Sequence, residues 1–425
     1  MSVGSSDVQK QAYVIGGGVV GVSTGIALRR AGYAVTLLER GEPGREASFG
    51  NAGVIAVTEI TPMSAPGIIW NVPKWLLDPL GPLALRPAHV PALLPWLWRF
   101  WRAGTPAGVE RAAQSLAWLM DGAWQAWPEL LREAGMSGEV TEAGALTVYE
   151  TDAAFQADAH EWALKRRYGI ESQALTAGEL AEMEPDLAGA VQRGVLRHGL
   201  YCPKTAHVSD PWRIVSGLAA HFRALGGVIE HAVVTGLSRG PGNRCLIHLG
   251  DGRTLDGDTV ALTAGPWSPK LLKPLGIRAL VESERGYNTT LPQSGVSLRR
   301  PVTSAEGKFV LSPLAIGLRI GGAAEFAGLD ADANYRRSEA LLTIARRYLP
   351  DMNADGGTQW MGQRPSTPDS LPVIGRAPGL SNLLLGFGHG HLGLTGAAVT
   401  GSLLAALAQG QTPAPQLSAF AVERF

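Results

Sequence analysis

Three glycines, at positions 16, 18 and 21, constrain this chain more than any other feature. They follow a short apolar run, "AYVI", and open a stretch whose apolar residues recur with helical spacing from Gly21 to Ala31. Gly32 closes that stretch, as glycine does at a helix C-terminus. "AVTLLE" then has the Val/Leu content of a strand buried on both faces. Strand, glycine turn, helix and strand together form the unit in which G-x-G-x-x-G receives a pyrophosphate. The first glycine permits the tight turn and the second lets the backbone approach the phosphates. The third lets helix and strand pack closely, and the helix N-terminus offers free N–H groups. Glu39 ends the second strand about 20 residues on, where a carboxylate can hold ribose hydroxyls. The cradle is therefore expected to comprise Val14, Gly16, Gly18, Val19, Val20, Gly21, Glu39 and Arg40. FAD and NAD use the same cradle, so the turn alone does not choose between them.

The 425 residues are 45% hydrophobic and 17% charged, which suits two or three domains with ample core and argues against disorder. Lys+Arg and Asp+Glu both number 37, so no strongly charged partner such as nucleic acid is expected. Two distant cysteines, Cys202 and Cys245, exclude a disulfide framework and fit a reducing compartment. The opening "MSVGSSDVQK" lacks the basic start and apolar run of a secretory signal, so a cytoplasmic location is expected. No uninterrupted apolar run reaches the roughly 18 residues of a spanning helix. The nearest approach is "HVPALLPWLWRFWRAG", His89 to Gly104, broken by Pro91 and Pro95 and carrying Arg99 and Arg102. It reads as a core or groove-lining helix, or as a Trp-rich patch peripheral to the inner face of a membrane.

Beyond the cradle, loops and short helices are expected from about 60 to 104. Helices are expected over 112–134, 176–185 and 211–225, from Ala333 to a stop at Pro350, and over the final "LTGAAVTGSLLAALAQG". "GALTVYET", "GGVIEHAVVTGL" and "DTVALTAG" read as strands, and a hairpin is expected around Pro313 to Gly317. Two late stretches could return to the cradle, an arrangement that favours FAD over NAD. In "ALTAGPWSPKLLKPLG" a strand ends at Ala264 and Gly265, and Trp267 enters a helix. In "GFGHGHLGLTG" a glycine loop feeds a helix through Gly388, His389, Gly390, His391, Leu392 and Gly393. Two histidines with no Cys, Asp or Glu in the loop are too few for a metal, so none is expected.

These stretches, with "ASFGNAG", "TAGPWS", "RGYN", "GLRIGGAAEFAG" and "GQRPSTPDSLPVIG", resemble the FAD-dependent D-amino acid dehydrogenases of the D-amino acid oxidase and glycine oxidase family. The Pro/Trp-rich block resembles members acting on D-proline or D-hydroxyproline. The resemblance implies an α/β plus α+β fold, with a Rossmann-like FAD-binding domain and a second domain on a mostly antiparallel sheet. The first is expected over 10–60, 205–270 and 355–425, the second over 61–204 and 271–354. The implied reaction removes hydride from the Cα of an amino acid to flavin and passes electrons to a quinone or respiratory acceptor. The imine is then hydrolysed to a 2-oxo acid and ammonia. A glycine- or sarcosine-type oxidase using O2, an NAD dehydrogenase and a non-catalytic flavin-binding subunit are the rivals.

The resemblance also assigns roles. Arg364 is expected to clamp the substrate carboxylate, with Arg319 and Arg285 as competing cations. Tyr287 is a candidate hydroxyl in the pocket, and His207 a weaker candidate to face it. Ser48, Asn51, Ala52 and Gly53 fall near the flavin in family members, and Val234 on the strand that meets adenine. No residue is expected to bond FAD covalently. The Gly388–Gly393 loop is expected to aim backbone N–H groups and the positive end of its helix at the reduced flavin's charge. His389 or His391 would add a donor, wall off solvent or move a proton there.

Overall fold

The computed structural model describes residues 9–64, 72, 75, 76, 78 and 81–425. The apolar strands of the sequence assemble into a six-stranded sheet in the order 228–231, 34–39, 11–15, 259–262, 383–387, 373–376. All neighbours are parallel except the last pair. Strand Gln11–Ile15 turns directly into helix Val19–Arg30, as the glycine spacing requires. That helix packs against helix Gly393–Ala408 so closely that a Cβ at Gly401 would lie 2.7 Å from the Ser23 carbonyl oxygen.

A second, nine-stranded sheet is mostly antiparallel and stands over the C-terminal edge of the first. Its strands Glu282–Leu291, Gly317–Phe326 and Thr358–Ser366 lie side by side. Strand 358–366 therefore pairs with the larger sheet, and the chain returns to the smaller one only after Ser366. The mixture of a parallel, helix-covered sheet with a mostly antiparallel one is the α/β plus α+β arrangement expected.

Several elements depart from the local sequence reading. The long helix starts earlier than expected, at Pro106, because the Thr105 hydroxyl accepts from Gly108 N and caps it. The helix before Pro350 ends at Ala345 rather than at the proline. Helix Val90–Ala103 is not broken: Pro91 sits in its first turn and the helix runs on through Pro95. It buries Leu93 and Trp96 and exposes Leu94, Trp98 and Trp101 at helical spacing on the opposite side. The helix with a membrane-like length and hydropathy is instead Gly390–Ala408, whose most apolar window is 61% buried inside the fold. Its interspersed Gly, Thr and Ser disguise its apolar character in the sequence. The block at 60–104 also contains a short strand, Leu83–Leu85, paired with 324–326, while residues 65–71, 73, 74, 77, 79 and 80 lie outside those described. Both cysteines are free and buried.

Candidate active site

A single cavity of about 890 Å³ runs from the N-terminal glycine turn to the underside of the larger sheet. At its nucleotide end, Gly16 has φ +102°, and a Cβ there would meet the Thr263 carbonyl oxygen at 2.8 Å. A Cβ at Gly21 would fall 1.8 Å from the Gly16 oxygen, so the turn closes only with glycine. Glu39 Oε2 accepts from Gly17 N at 2.5 Å and Oε1 from Gly41 N at 2.9 Å, which holds the carboxylate at the strand end. Ser48 Oγ accepts from Val19 N at 3.0 Å and so caps the helix whose first turn borders the cavity. Val19, Val20, Arg40, Ala52 and Val234 line the same cavity, together with Ala264, Gly265 and Trp267. The Arg40 guanidinium lies 4.0 Å over the Trp267 ring. Val14 is fully buried in the strand beneath. Gly53 has φ +70° and its N–H donates to Asn51 Oδ1 at 2.8 Å, a local turn that presents the Asn51 backbone to the cavity. An open turn with no room for side chains, a capped helix end and an anchored carboxylate fit a dinucleotide.

The far end is built by strands 282–291 and 358–366. Arg364 Nη1 donates to Glu284 Oε1 and to the Ala323 carbonyl, both at 2.9 Å. Ser366 Oγ donates to Glu284 Oε2 at 2.7 Å. The His391 ring, from the late glycine loop, reaches Glu284 Oε1 through Nε2 at 2.7 Å. Glu284 is fully buried, whereas 24% of the Arg364 side chain and 48% of His391 remain exposed to the cavity mouth. Burial alone would raise the Glu284 carboxyl. The Arg364 charge and the hydrogen bonds from His391 and Ser366 oppose this, joined by the His391 charge whenever that ring is protonated, and the group is held well below the usual carboxylate range. Glu284 was not singled out in the sequence, where "ESERGYN" reads as a run of polar residues.

The competing cations separate cleanly. Arg285 points to the other face of its strand and is fully buried. It donates to the carbonyls of Gly328, Leu329, Ala331 and Asp332, so it fastens that loop instead of facing the cavity. Arg319 lines the cavity, bonded to Thr290 Oγ1 at 3.0 Å and to the Asn51 carbonyl at 2.7 Å. Burial lowers its pKa to about 10, against the opposing effect of Asp210, and it remains a cation at neutral pH.

Tyr287 also lines the cavity, but its hydroxyl is already engaged: it donates to Glu325 Oε2 and accepts from Asn334 N at 3.0 Å. Burial raises the phenol to about 12, and the Glu325 contact adds to it. His207 lies outside this cavity, in a small sheet with Val54–Ile55 and Val140–Thr141, and lines a separate hollow. Its pKa is lowered, first by burial and then by Arg300.

The two histidines of the glycine loop diverge. The His389 side chain turns into the core, where Nε2 lies 2.9 Å from Thr400 Oγ1, and burial lowers its pKa to about 4. His391 stays at the cavity. Gly388 and Gly390 have φ of +80° and +53°, left-handed values that let the loop reverse between the two rings. Leu392 and Gly393 lead into the helix behind them.

The sequence profile of the FAD dependent oxidoreductase family, DAO, matches residues 11–407. The chain belongs to this family. A D-amino-acid oxidase of Bradyrhizobium diazoefficiens is 35% identical over 419 residues, 97% of this chain and 98% of the relative. A D-amino acid dehydrogenase of Dechloromonas aromatica is 34% identical over 416 residues, 95% of this chain and 98% of that protein. Among solved structures, glycine oxidase from Geobacillus kaustophilus superposes with a TM-score of 0.74 at 23% identity, covering 98% of this chain and 100% of its own. L-proline dehydrogenase from P. horikoshii gives 0.72 at 18% identity, covering 98% of each chain. At these identities the two structures speak for the fold alone. As a member of the family, the chain is an FAD-dependent oxidoreductase, and the glycine cradle is where FAD fits.

Proposed function

We propose that the protein oxidises the α-carbon–nitrogen bond of a D-amino acid, giving an imine that water hydrolyses to a 2-oxo acid and ammonia. One observation carries this reading. Arg364, an arginine partly open to the cavity, stands at the end of the hollow that begins at the dinucleotide turn. A guanidinium clamps a carboxylate through two parallel bonds and so fixes the orientation of the carbon next to it. Bound FAD supplies the two-electron acceptor for the α-hydrogen. The chain supplies the clamp, the apolar walls that exclude water, and the groups that favour a neutral amine. The names of both curated relatives support the D configuration. A cyclic, proline-like substrate would give a cyclic imine by the same step.

The proposed electron acceptor is a quinone or another acceptor other than O2, reached at the inner face of a membrane. The outward side of helix Val90–Ala103 supports this, since Leu94, Trp98 and Trp101 are more than half exposed beside Arg99 and Arg102. Indole rings flanked by cations suit the interface between lipid headgroups and acyl chains. Anaerobic mixing with D- and L-amino acids, proline analogues, glycine and sarcosine tests the substrate reading. Bleaching of the flavin by D-amino acids is expected; bleaching only by glycine or sarcosine would sink it. Turnover with O2 alone, compared with turnover that needs a quinone or dye, decides the acceptor.

A further inference from the structure

We propose that Glu284 and His391 form a carboxylate–imidazole dyad, in which His391 takes the proton from the substrate ammonium and Glu284 positions the ring. The inference rests on the amino acid reading above. It begins with an asymmetry in burial: Glu284 is 1% exposed and His391 is 48% exposed. Other ion pairs of the fold share such an asymmetry, but here the exposed partner lines the cavity that begins at the glycine turn. Here one end is locked beneath the sheet and the other is offered to the cavity.

The geometry fixes the ring. An ionised carboxylate accepts hydrogen bonds and donates none, so Nε2 of His391, 2.7 Å from Oε1, carries the hydrogen. Nδ1 is then the nitrogen with a free lone pair. Arg364 Nη1 reaches the same Oε1 at 2.9 Å, so clamp and imidazole are immediate neighbours. In an amino acid the nitrogen is two bonds from the carboxyl carbon. A substrate clamped on Arg364 therefore brings its ammonium beside the ring.

The step balances. One ammonium N–H bond breaks and its electron pair stays on the substrate nitrogen. The proton bonds to Nδ1, and the imidazolium so formed faces the Glu284 anion. The freed lone pair on nitrogen then assists departure of the α-hydrogen with its electrons. The surroundings concentrate this role on His391. Glu284 approaches from strand 282–291 and Arg364 from strand 358–366. Helix Gly393–Ala408 carries no ionisable side chain, and His389 in the same loop is turned to Thr400.

The test uses the FAD-loaded full chain and two variants, His391→Gln and Glu284→Gln. A glutamine at 391 can still donate to Glu284 but cannot take a proton. The rate of flavin reduction by the preferred D-amino acid is expected to fall about 100-fold in His391→Gln. That variant should also lose the acidic limb of the rate–pH profile, while binding of the 2-oxo acid product persists. In Glu284→Gln the rate should fall less than in His391→Gln, because the ring keeps its base and loses only the anion that orients it. Nitrogen NMR of histidine-labelled protein should show His391 as the Nε2–H tautomer in the wild type and a changed signal in Glu284→Gln. Native rate and pH dependence in His391→Gln, or an Nδ1–H tautomer in the wild type, would overturn the dyad. If no amino acid bleaches the wild-type flavin, the reaction reading falls and proton transfer from an ammonium falls with it, whereas bleaching in the wild type with an Nδ1–H tautomer overturns the dyad alone.

Discussion

The backbone of Gly286 makes room for the guanidinium of Arg364: a Cβ built at Gly286 would lie 2.1 Å from Nη2 and 2.2 Å from Cζ. The strand that carries Glu284 inward thus omits a side chain two residues later, where the clamp must lie. Gly286→Ala is expected to push the guanidinium off its seat while leaving the distant glycine turn intact. Losing a charged hydrogen bond costs roughly 1.5–3 kcal/mol, which corresponds to a KM higher by roughly 10- to 150-fold. Steady-state kinetics alongside flavin content per chain checks this. An unchanged KM would remove Arg364 from the carboxylate site.

The two glycine segments that line the cavity, proposed to hold FAD, predict different losses. A Cβ at Gly21 meets the Gly16 oxygen at 1.8 Å, so Gly21→Ala must break the turn and should yield protein without flavin. At Gly390 the nearest atom to a Cβ is Ser366 Oγ at 3.6 Å, and the obstacle is φ of +53°. An alanine there costs only about 1–2 kcal/mol of left-handed strain. The branched side chain of Gly390→Val adds to that strain and should weaken FAD retention clearly. Flavin-to-protein absorbance ratios after gel filtration rank the three variants. In the wild type, acid precipitation should leave the yellow colour in the supernatant, as non-covalent FAD requires; colour in the pellet would show a covalent bond.

His389 predicts an acid sensitivity of the fold. Its folded pKa is about 4 against 6.5 for the free group. Between those values the unfolded chain binds a proton that the folded chain does not, so stability is lost as pH falls through the window. The loss approaches about 3 kcal/mol by pH 4. A series of Tm values from pH 7 to 4 should fall more steeply for the wild type than for His389→Asn, which has nothing to titrate. Parallel slopes would mean that His389 does not drive the effect.

Trp98 and Trp101 are 57% and 55% exposed, with ring centroids 5.1 Å apart. If this face meets lipid, the wild type should sediment with vesicles containing anionic lipid, and Trp98→Ser/Trp101→Ser should not. Turnover with a soluble dye should be equal in the two proteins. A wild type that stays in solution with such vesicles would end the membrane reading.

The glycine cradle was legible because its physics is local: strand, turn, helix and strand follow one another within thirty residues. Arg364 was legible only through family resemblance. Glu284 was not legible at all. Strand 282–291, "ESERGYNTTL", is buried along almost its whole length, yet its polar composition hides that from any hydrophobic periodicity. Its charges are matched by residues far away in sequence, Arg364 and His391 for Glu284 and the carbonyls of residues 328–332 for Arg285. Arg285 and Glu284, adjacent in the chain, serve opposite faces, and only strand pairing reveals which is which. His389 and His391 looked equivalent for the same reason. The left-handed glycines between and before them send one ring into the core and the other to the cavity.

The contact of Gly401 with the Ser23 backbone has a consequence for how the protein comes into being. The glycine turn is translated long before the helix that its own helix rests on, Gly393–Ala408. Between them, the sheet waits for strand 383–387 to take its place beside 259–262. On the ribosome the glycine turn therefore emerges into a half-built neighbourhood, and the cavity it opens is closed only after strand 383–387 and helix Gly393–Ala408 have followed it out.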